Sequence, residues 1–108
     1  MQIIFHSHHA SVSDRLRLRA ERGVRKLATR LGGAVDAVVR FEGDGSRRRV
    51  EIVMHASRRR RLIAEGQARY LGPALAQAVD GLRDQVDRAR RARSKGARRR
   101  AALKAHHA

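Results

Sequence analysis

The sequence predicts an α+β fold, a two-layer sandwich in which a four-stranded sheet carries two helices on one face, in the order β-α-β-β-β-α. Two long segments repeat apolar residues at helical spacing, and shorter segments alternate apolar and polar residues between turn residues. A chain of 108 residues is long enough for one domain with a small core.

The first strand is predicted over Gln2–Ser7, where the apolar run Ile3–Phe5 indicates burial on both faces. Ser13 is the predicted N-cap of the helix that follows. Gly32-Gly33 is predicted to end that helix, because glycine tolerates the left-handed conformation common after a last turn. The apolar face of this helix is predicted to be buried and consists of Leu16, Ala20, Val24, Leu27 and Leu31.

Three strands are then predicted as an antiparallel meander. Residues Val35–Phe41 and Val50–Ala56 alternate with a period of two, and Gly43–Ser46 between them is a predicted hairpin turn. A second tight turn at Ser57 and Arg58 leads into a short strand over residues 61–65. Both helices are predicted to cover one face of the sheet, and the other face is predicted to be solvated. The covered face bears Val39, Phe41, Val50, Ile52 and Met54.

The second helix is predicted to follow a break in the last strand over Gly66–Gly72, with Pro73 in its first turn. On its outer face the pairs Asp84–Arg88 and Asp87–Arg91 have the i,i+4 spacing of stabilising ion pairs. Its predicted buried face consists of Leu75, Ala78, Val79, Leu82, Val86 and Ala89.

The first helix also carries a cationic ridge. At about 100° per residue, five cations fall in a sector of about 80°, which lies about 120° from the apolar face. Such like charges repel one another at i,i+4 spacing unless a partner compensates them, and nucleic-acid phosphate is the commonest such partner. The ridge is therefore predicted to bind RNA, with a merely solvated face as the alternative; its members are Arg15, Arg19, Arg22, Lys26 and Arg30.

The end of the chain is more basic still. Residues 88–108 hold 9 cations and no acid, whereas residues 1–87 hold 17 cations and all 10 acids. Residues 94–96 are predicted to end the second helix, which leaves a folded domain over 1–93 and a basic disordered tail over 94–108. The tail region is predicted to bind RNA, with a solubilising role as the alternative, through Arg88, Arg90, Arg91, Arg93, Lys95, Arg98, Arg99 and Arg100.

Two further arginine runs, Arg47–Arg49 and Arg58–Arg61, lie at predicted strand ends and turns, and some of them are expected to reach phosphates. Aromatic residues make up only 3% of the chain, so base stacking is not the expected mode of recognition. RNA is instead expected to be recognised through its phosphates and its shape.

Other functional classes are disfavoured. The chain has no cysteine, and His6 and His8 share a side of the first strand without a third ligand at a recognisable spacing, so no metal site and no cofactor are predicted. No Gly-rich phosphate loop or catalytic constellation is present, so the protein is predicted not to be an enzyme. No segment has the composition of a signal peptide or membrane span, which predicts a cytoplasmic protein without a membrane partner.

The ordered set of motifs resembles the ribosome hibernation-promoting factor family, which includes the ribosome-associated inhibitors. The similarity covers about residues 1–93. It is carried by QIIFHSHH, Ser13, the run Arg25-Lys26-Leu27-Ala28-Thr29-Arg30-Leu31, the meander VVRFEGDGSRRRVEIVMHA and Ala78-Val79-Asp80-Gly81-Leu82. The stretch Gly66–Pro73 departs from the family pattern, because it is less acidic and its Tyr70 is displaced.

The resemblance implies a short family member, since a basic tail stands where long members carry a dimerisation domain. It implies a protein, monomeric when free, that binds the 16S rRNA of the 30S ribosomal subunit in the decoding channel. There it would exclude messenger and transfer RNA during stress or stationary phase. The alternatives are a generic module for structured or double-stranded nucleic acid and, less in keeping with the residues, an enzyme or a membrane-surface protein.

Overall fold

A computed structural model describes residues 1–106, with side chains described for residues 1–103. The predicted α+β order β-α-β-β-β-α is confirmed. The elements are β1 (Gln2–His8), α1 (Asp14–Leu31), β2 (Ala34–Asp44), β3 (Arg47–Ala56), β4 (Arg61–Ala68) and α2 (Leu71–His106).

The four strands lie in the sheet in chain order, β1-β2-β3-β4. β1 pairs with β2 in parallel, which requires a crossover, and α1 supplies it. β2, β3 and β4 form the predicted antiparallel meander, and the first hairpin turns at Gly45 and Ser46, where Gly45 takes a φ of 57°. The predicted hairpin is confirmed, but it is tighter than Gly43–Ser46, because Gly43 and Asp44 belong to β2. Of the Asp-Gly pair that was expected to supply positive φ angles, Gly45 does so and Asp44 does not.

The core lies between one face of the sheet and both helices, as predicted. The side chains of Val39, Phe41, Val50, Ile52 and Met54 are all buried on that face. From the helices they meet the buried residues Ala20, Val24, Leu27, Ala28, Leu31, Ala74, Leu75, Ala78, Leu82, Val86 and Ala89. No helix of the described residues covers the opposite face of the sheet, which we call the open face.

Both predicted caps of α1 are present. The side-chain hydroxyl of Ser13 accepts a hydrogen bond from the backbone N–H of Leu16 at 3.1 Å. At the other end Gly32 adopts a φ of 95°, and the N–H groups of Gly32 and Gly33 bond the carbonyls of Thr29 and Ala28 at 3.1 Å. These caps fix where α1 begins and ends relative to the sheet.

The prediction that β1 is buried on both faces is wrong. Ile3 and Phe5 are half-buried beneath the helical layer, but Ile4 points to the open face and is 40% exposed. β1 is an edge strand of a sheet that is covered on one side only, so alternation sends every second residue toward water. Val35 is likewise exposed, next to an irregularity in the β2–β3 register.

The predicted strand break at Gly66 is also wrong, because β4 continues to Ala68 and pairs Gly66 with Val50. A Cβ atom at Gly66 would lie 2.1 Å from the carbonyl oxygen of Ala74. Glycine is therefore needed where the first turn of α2 crosses the strand, and this is a requirement of tertiary packing rather than a signal for a turn.

α2 also covers the free edge of β4. The side-chain amide oxygen of Gln77 accepts a hydrogen bond from the N–H of Gln67 at 3.0 Å, and that of Gln85 accepts one from Ile63 at 3.2 Å. The amide nitrogen of Gln85 donates to the carbonyl oxygen of Ile63. Edge groups that could otherwise pair with another strand are thereby satisfied.

Pro73 lies in the first turn of α2 as predicted, but the predicted helix end and disordered tail over 94–108 are wrong for the described residues, since α2 continues to His106. Residues 107 and 108 lie outside the described part. Alanine, arginine and lysine are strong helix formers, and Ser94 and Gly96 together oppose the helix by only about 1–2 kcal/mol. At about 1.5 Å per residue α2 is about 54 Å long, which accounts for most of the 63 Å long axis of the molecule.

Candidate nucleic-acid interface

The cationic ridge lies on the outer surface of α1, and all five of its residues are exposed. It borders a groove between α1 and α2, a cavity of about 260 Å³ to which Arg19 and Arg83 contribute cations and Asp80 an acid. The two helices pack against each other at Gly23, where a Cβ would lie in ordinary van der Waals contact with Val79, 3.6 Å away. The first four members of the ridge, from Arg15 to Lys26, form no ion pair with any described residue.

Arg30, the last member of the ridge, has a partner within the protein. Its Nε lies 2.8 Å from Oδ1 of Asp87 on α2. The predicted pairs Asp84–Arg88 and Asp87–Arg91 are not formed among the described residues, and the carboxylate of Asp87 joins the two helices instead. A pair this exposed contributes little stability, but it removes one cation from the surface available to a ligand.

Arg93 is likewise used by the fold. Its Nη1 donates a hydrogen bond of 3.1 Å to the carbonyl oxygen of Leu31, at the C-terminal end of α1. A cation at that position satisfies an orphan carbonyl and opposes the negative end of the helix dipole. Arg30 and Arg93, both predicted from the sequence to bind RNA, therefore also hold α1 against α2.

The basic residues near the chain end lie on α2 rather than on a disordered tail. Arg90, Arg93 and Arg100 face the end of α1 and line a common cavity with Arg30. Helical periodicity directs the remaining predicted RNA contacts away from α1, and these are Arg88, Arg91, Lys95, Arg98 and Arg99. The basic residues predicted to act as one cluster therefore form two groups, one beside the end of α1 and one on the opposite side of α2.

The two arginine runs of the meander are divided in the same way. Arg48 donates to the carbonyl oxygens of Gly45 and Arg47 in the hairpin, at 3.1 and 3.0 Å. Arg49 lies on the open face among three carboxylates. By contrast, Arg58 and Arg60 lie at the β3–β4 turn, next to the end of α1 and to α2.

The open face differs in charge from the helical side. Four of the 10 acids, Asp36, Glu42, Glu51 and Glu65, project from it. The guanidinium of Arg49 bonds Glu42 at 3.1 Å, Glu51 at 3.0 Å and Glu65 at 2.5 Å. The hydrogen bond to Glu65 is the largest cause that raises the pKa of Arg49 above its ordinary value, so this cation stays charged and committed to the cluster.

A row of apolar side chains crosses the open face beside these charges. Ile4, Val38, Val53 and Ile63 are register partners across all four strands. Acids and apolar residues are poor ligands for phosphate, so the cationic ridge and the outer cations of α2 are the better candidate interface.

The described residues contain no group of three or more histidines and acids placed to hold a metal ion. His6 and His8 do share the open side of β1, as predicted, near Arg40 and Glu42. Within the same described part, no helix combines the length and the apolar composition needed to cross a bilayer.

Sequence reasoning missed the structural roles of Arg30 and Arg93 and the position of the β3–β4 turn beside α2. The spacing of cations on one helix reveals which of them share a face, but not which acid or carbonyl a neighbouring helix will present. The high positive charge of residues 88–108 predicts RNA binding, but it carries no signal for the helix that these residues form up to His106.

The fold and charge define a small basic α+β protein whose cations are concentrated on the helices and at one end. Residues 3–94 match the model of the family described as sigma 54 modulation protein / S30EA ribosomal protein. The chain therefore belongs to this family, the ribosome-associated family of the hibernation-promoting factors, and the resemblance predicted from its motifs is confirmed.

Solved structures show the same fold. A ribosomal subunit interface protein from Coxiella burnetii aligns with a TM-score of 0.73 at 12% identity, over 82% of this chain and 96% of that one. The N-terminal domain of Protein Y from Thermus thermophilus aligns with a TM-score of 0.71 at 26% identity, over 82% of this chain and 98% of that one. A comparison with curated proteins gives no significant match.

Proposed function

We propose that this protein binds the 16S rRNA of the 30S subunit in the decoding channel and blocks entry of messenger and transfer RNA under stress. The observation that carries the proposal is the uncompensated cationic surface of α1, from Arg15 to Lys26, in a member of a ribosome-associated family. The name of one structural neighbour, a ribosomal subunit interface protein, is consistent with the proposal.

The mode of binding follows from the side chains. Arginine presents a planar fork of donors that suits phosphate oxygens, and the ridge is about 16 residues, or about 24 Å, long. Such a stripe spans several successive phosphates of an RNA strand. A rigid surface of this kind with few aromatic residues favours folded rRNA, whose phosphates are fixed in space, over flexible single strands.

The proposal needs no catalysis and no cofactor, because exclusion of messenger and transfer RNA requires only occupancy of their path. We further propose that the protein acts in the cytoplasm as a monomer. A generic RNA-binding module would share the charge of this surface but would bind free duplexes as well as it binds ribosomes.

The test is co-sedimentation with purified 30S subunits. The control is binding to a free duplex RNA at the same salt concentration. We expect saturable binding at one copy per subunit, loss of that binding when initiator tRNA and messenger RNA are bound first, and much weaker binding to the duplex. Equal affinity for duplex and subunit would favour the generic module. Binding unaffected by tRNA and messenger RNA would place the protein outside the decoding channel.

A further inference from the structure

The end of the molecule beside the C-terminus of α1 contains a cleft that lies outside the Arg15–Lys26 surface on which the proposed ribosomal contact rests. It has a volume of about 300 Å³ and lies between the end of α1, the β3–β4 turn and residues 92–100 of α2. Its apolar wall is formed by Leu31, Ala56 and Ala92. A second opening, on the α1 side of α2, shares Arg93 and Arg100 with it. We call the two openings together the arginine cleft.

Among the described residues, six arginines and no acid line the arginine cleft. Arg30 and Arg93 are already bonded, to Asp87 and to the carbonyl of Leu31. The remaining four make no ion pair and no side-chain hydrogen bond with any residue that the structure describes; they are Arg58, Arg60, Arg90 and Arg100. Arg58, Arg60 and Arg100 line the larger opening, and Arg90 lines the second one together with Arg100. Uncompensated guanidiniums so close together form a strong site of positive potential.

The β3–β4 turn shows a second unusual feature. Arg58 and Arg59 adopt φ angles of 64° and 60°, the left-handed region that residues with a Cβ rarely occupy. The backbone bond from Ala56 N–H to the carbonyl of Arg60, at 2.7 Å, closes the turn around them. Such strained conformations are concentrated at functional sites, and here the turn holds Arg58 and Arg60 at the cleft.

We propose that the arginine cleft binds a group of closely spaced phosphates. Guanidinium forks match phosphate oxygens in pairs, and the apolar wall lowers the local dielectric, which strengthens those contacts. A cavity of about 300 Å³ has the size of small-ligand sites and accommodates a triphosphate chain. A free nucleoside triphosphate and a bent or terminal stretch of RNA both present this chemistry. The four unpaired arginines of the cleft are not members of the α1 ridge, which contributes only the paired Arg30, so the proposal goes beyond ribosome binding.

The experiment is isothermal titration calorimetry on the full chain at 150 mM salt, with orthophosphate, inorganic triphosphate, GTP and a ten-nucleotide single-stranded RNA as separate probes. The cleft variant is R58Q/R60Q. Its matched control is R40Q/R47Q, which removes the same charge from residues outside the cleft. R100Q tests the same cleft from α2, so the result does not depend on the turn alone.

We expect triphosphate to bind at least tenfold more tightly than orthophosphate. The cleft variant and R100Q should each lose at least fivefold of that affinity, and the control should stay within twofold of the parent. Competition identifies which molecule supplies the phosphates. If GTP displaces triphosphate and the RNA does not, the ligand is a nucleotide; if the RNA displaces it, the cleft is an RNA site. Equal losses in cleft and control variants, or no preference for triphosphate, would overturn the proposal.

Failure of this proposal is distinguishable from failure of ribosome binding. The ridge variant R19Q/R22Q/K26Q should retain triphosphate affinity within twofold while losing 30S co-sedimentation. A protein that binds triphosphate in the cleft but does not co-sediment with subunits would contradict only the proposed ribosomal function. One that co-sediments normally but shows no cleft-dependent triphosphate binding would contradict only the arginine cleft.

Discussion

Arg93 illustrates how the function of a cation depends on one contact. Its side chain is exposed, yet its guanidinium donates to the carbonyl of Leu31 at the last turn of α1. A Cβ at Gly32 would lie 2.9 Å from the same nitrogen, so the glycine cap and the arginine occupy one crowded corner. At the residue scale, Arg93 therefore connects α2 to the end of α1 and is also part of the charged surface.

The first prediction follows from that contact. Arg93→Ala should lower the free energy of unfolding by about 1 kcal/mol, because an orphan carbonyl loses a charged donor in a solvent-exposed setting. Urea denaturation of Arg93→Ala and Arg91→Ala checks this, since Arg91 carries the same charge and points away from α1. Equal stability of the two variants would mean that the bond to Leu31 contributes nothing to the fold.

A second prediction concerns two glycines with opposite surroundings. Gly66→Ala should destabilise the protein by about 1–3 kcal/mol, because its Cβ would lie 2.1 Å from the carbonyl oxygen of Ala74 and would force α2 away from β4. A Cβ at Gly96 would meet no atom within 4 Å. Gly96→Ala should therefore stabilise the helix locally by up to about 1 kcal/mol and raise the helix content. Thermal denaturation followed by circular dichroism compares them; a stable Gly66→Ala variant would contradict the close crossing.

At the element scale, those features that depend on neighbours along the chain were predictable. Ser13, Gly32 and Gly45 act within a few residues of their own positions, and period-two alternation in β3 identifies its buried side directly. Gly66 and the end of α2 were not predictable in this way. The first reflects a helix crossing the strand from elsewhere in the sequence, and the second reflects helix propensity that one serine and one glycine do not outweigh.

The same limit applies to the candidate interface. Helical spacing placed Arg15, Arg19, Arg22 and Lys26 on one exposed surface, and the structure agrees. It could not foresee that Asp87 would pair with Arg30, because that pair joins residues 57 positions apart. The RNA contacts themselves remain predictions for every residue of the set.

The third prediction concerns the last part of α2. Truncation after Arg93 should change the melting temperature by less than about 2 °C, because the core residues of α2 end at Ala89. Affinity for 30S subunits should fall only partly, since five cations are removed and the α1 ridge remains. Differential scanning calorimetry and co-sedimentation measure the two effects.

A full-length control separates charge from helix in this experiment. Replacing Lys95, Arg98, Arg99, Arg100 and Lys104 by glutamine removes the same five charges and keeps good helix formers in place. If charge alone matters, this variant and the truncated protein should lose the same affinity. A much larger loss on truncation would show that the helix itself makes contacts, and no loss in either would leave the segment as a solubilising element.

At the scale of the whole molecule the charge is polarised. The net charge of +16 is carried mainly by the helices and the cleft end, whereas the open face holds a carboxylate cluster around Arg49 and an apolar row. A polarised protein approaches a polyanion with its basic side first, which raises the encounter rate and selects the orientation of binding.

The fourth prediction is a strong dependence of subunit binding on salt. With about 6–10 phosphate contacts, affinity should fall by about 10³–10⁵-fold between 50 and 200 mM monovalent salt, because each neutralised phosphate releases condensed counterions. Fluorescence titration of labelled protein against 30S subunits across a salt series measures the slope. A nearly flat response would show that phosphate contacts do not dominate.

The fifth prediction assigns that slope to one side of the molecule. Arg19, Arg22 and Lys26 changed together to glutamine should weaken subunit binding at least 100-fold and reduce the salt slope by about 2–3, close to one unit for each phosphate that is no longer neutralised.

The control for this variant changes Arg40, Arg47 and Arg61 to glutamine. These residues lie on the open side of the strands, and the change removes the same net charge. That control should lower affinity less than tenfold and keep the slope within about one unit, because only long-range attraction is reduced. Circular dichroism should show both variants folded, since all six side chains are exposed. Equal losses would mean that net charge, rather than the surface of α1, determines binding, and a larger loss in the control would place the RNA on the open face.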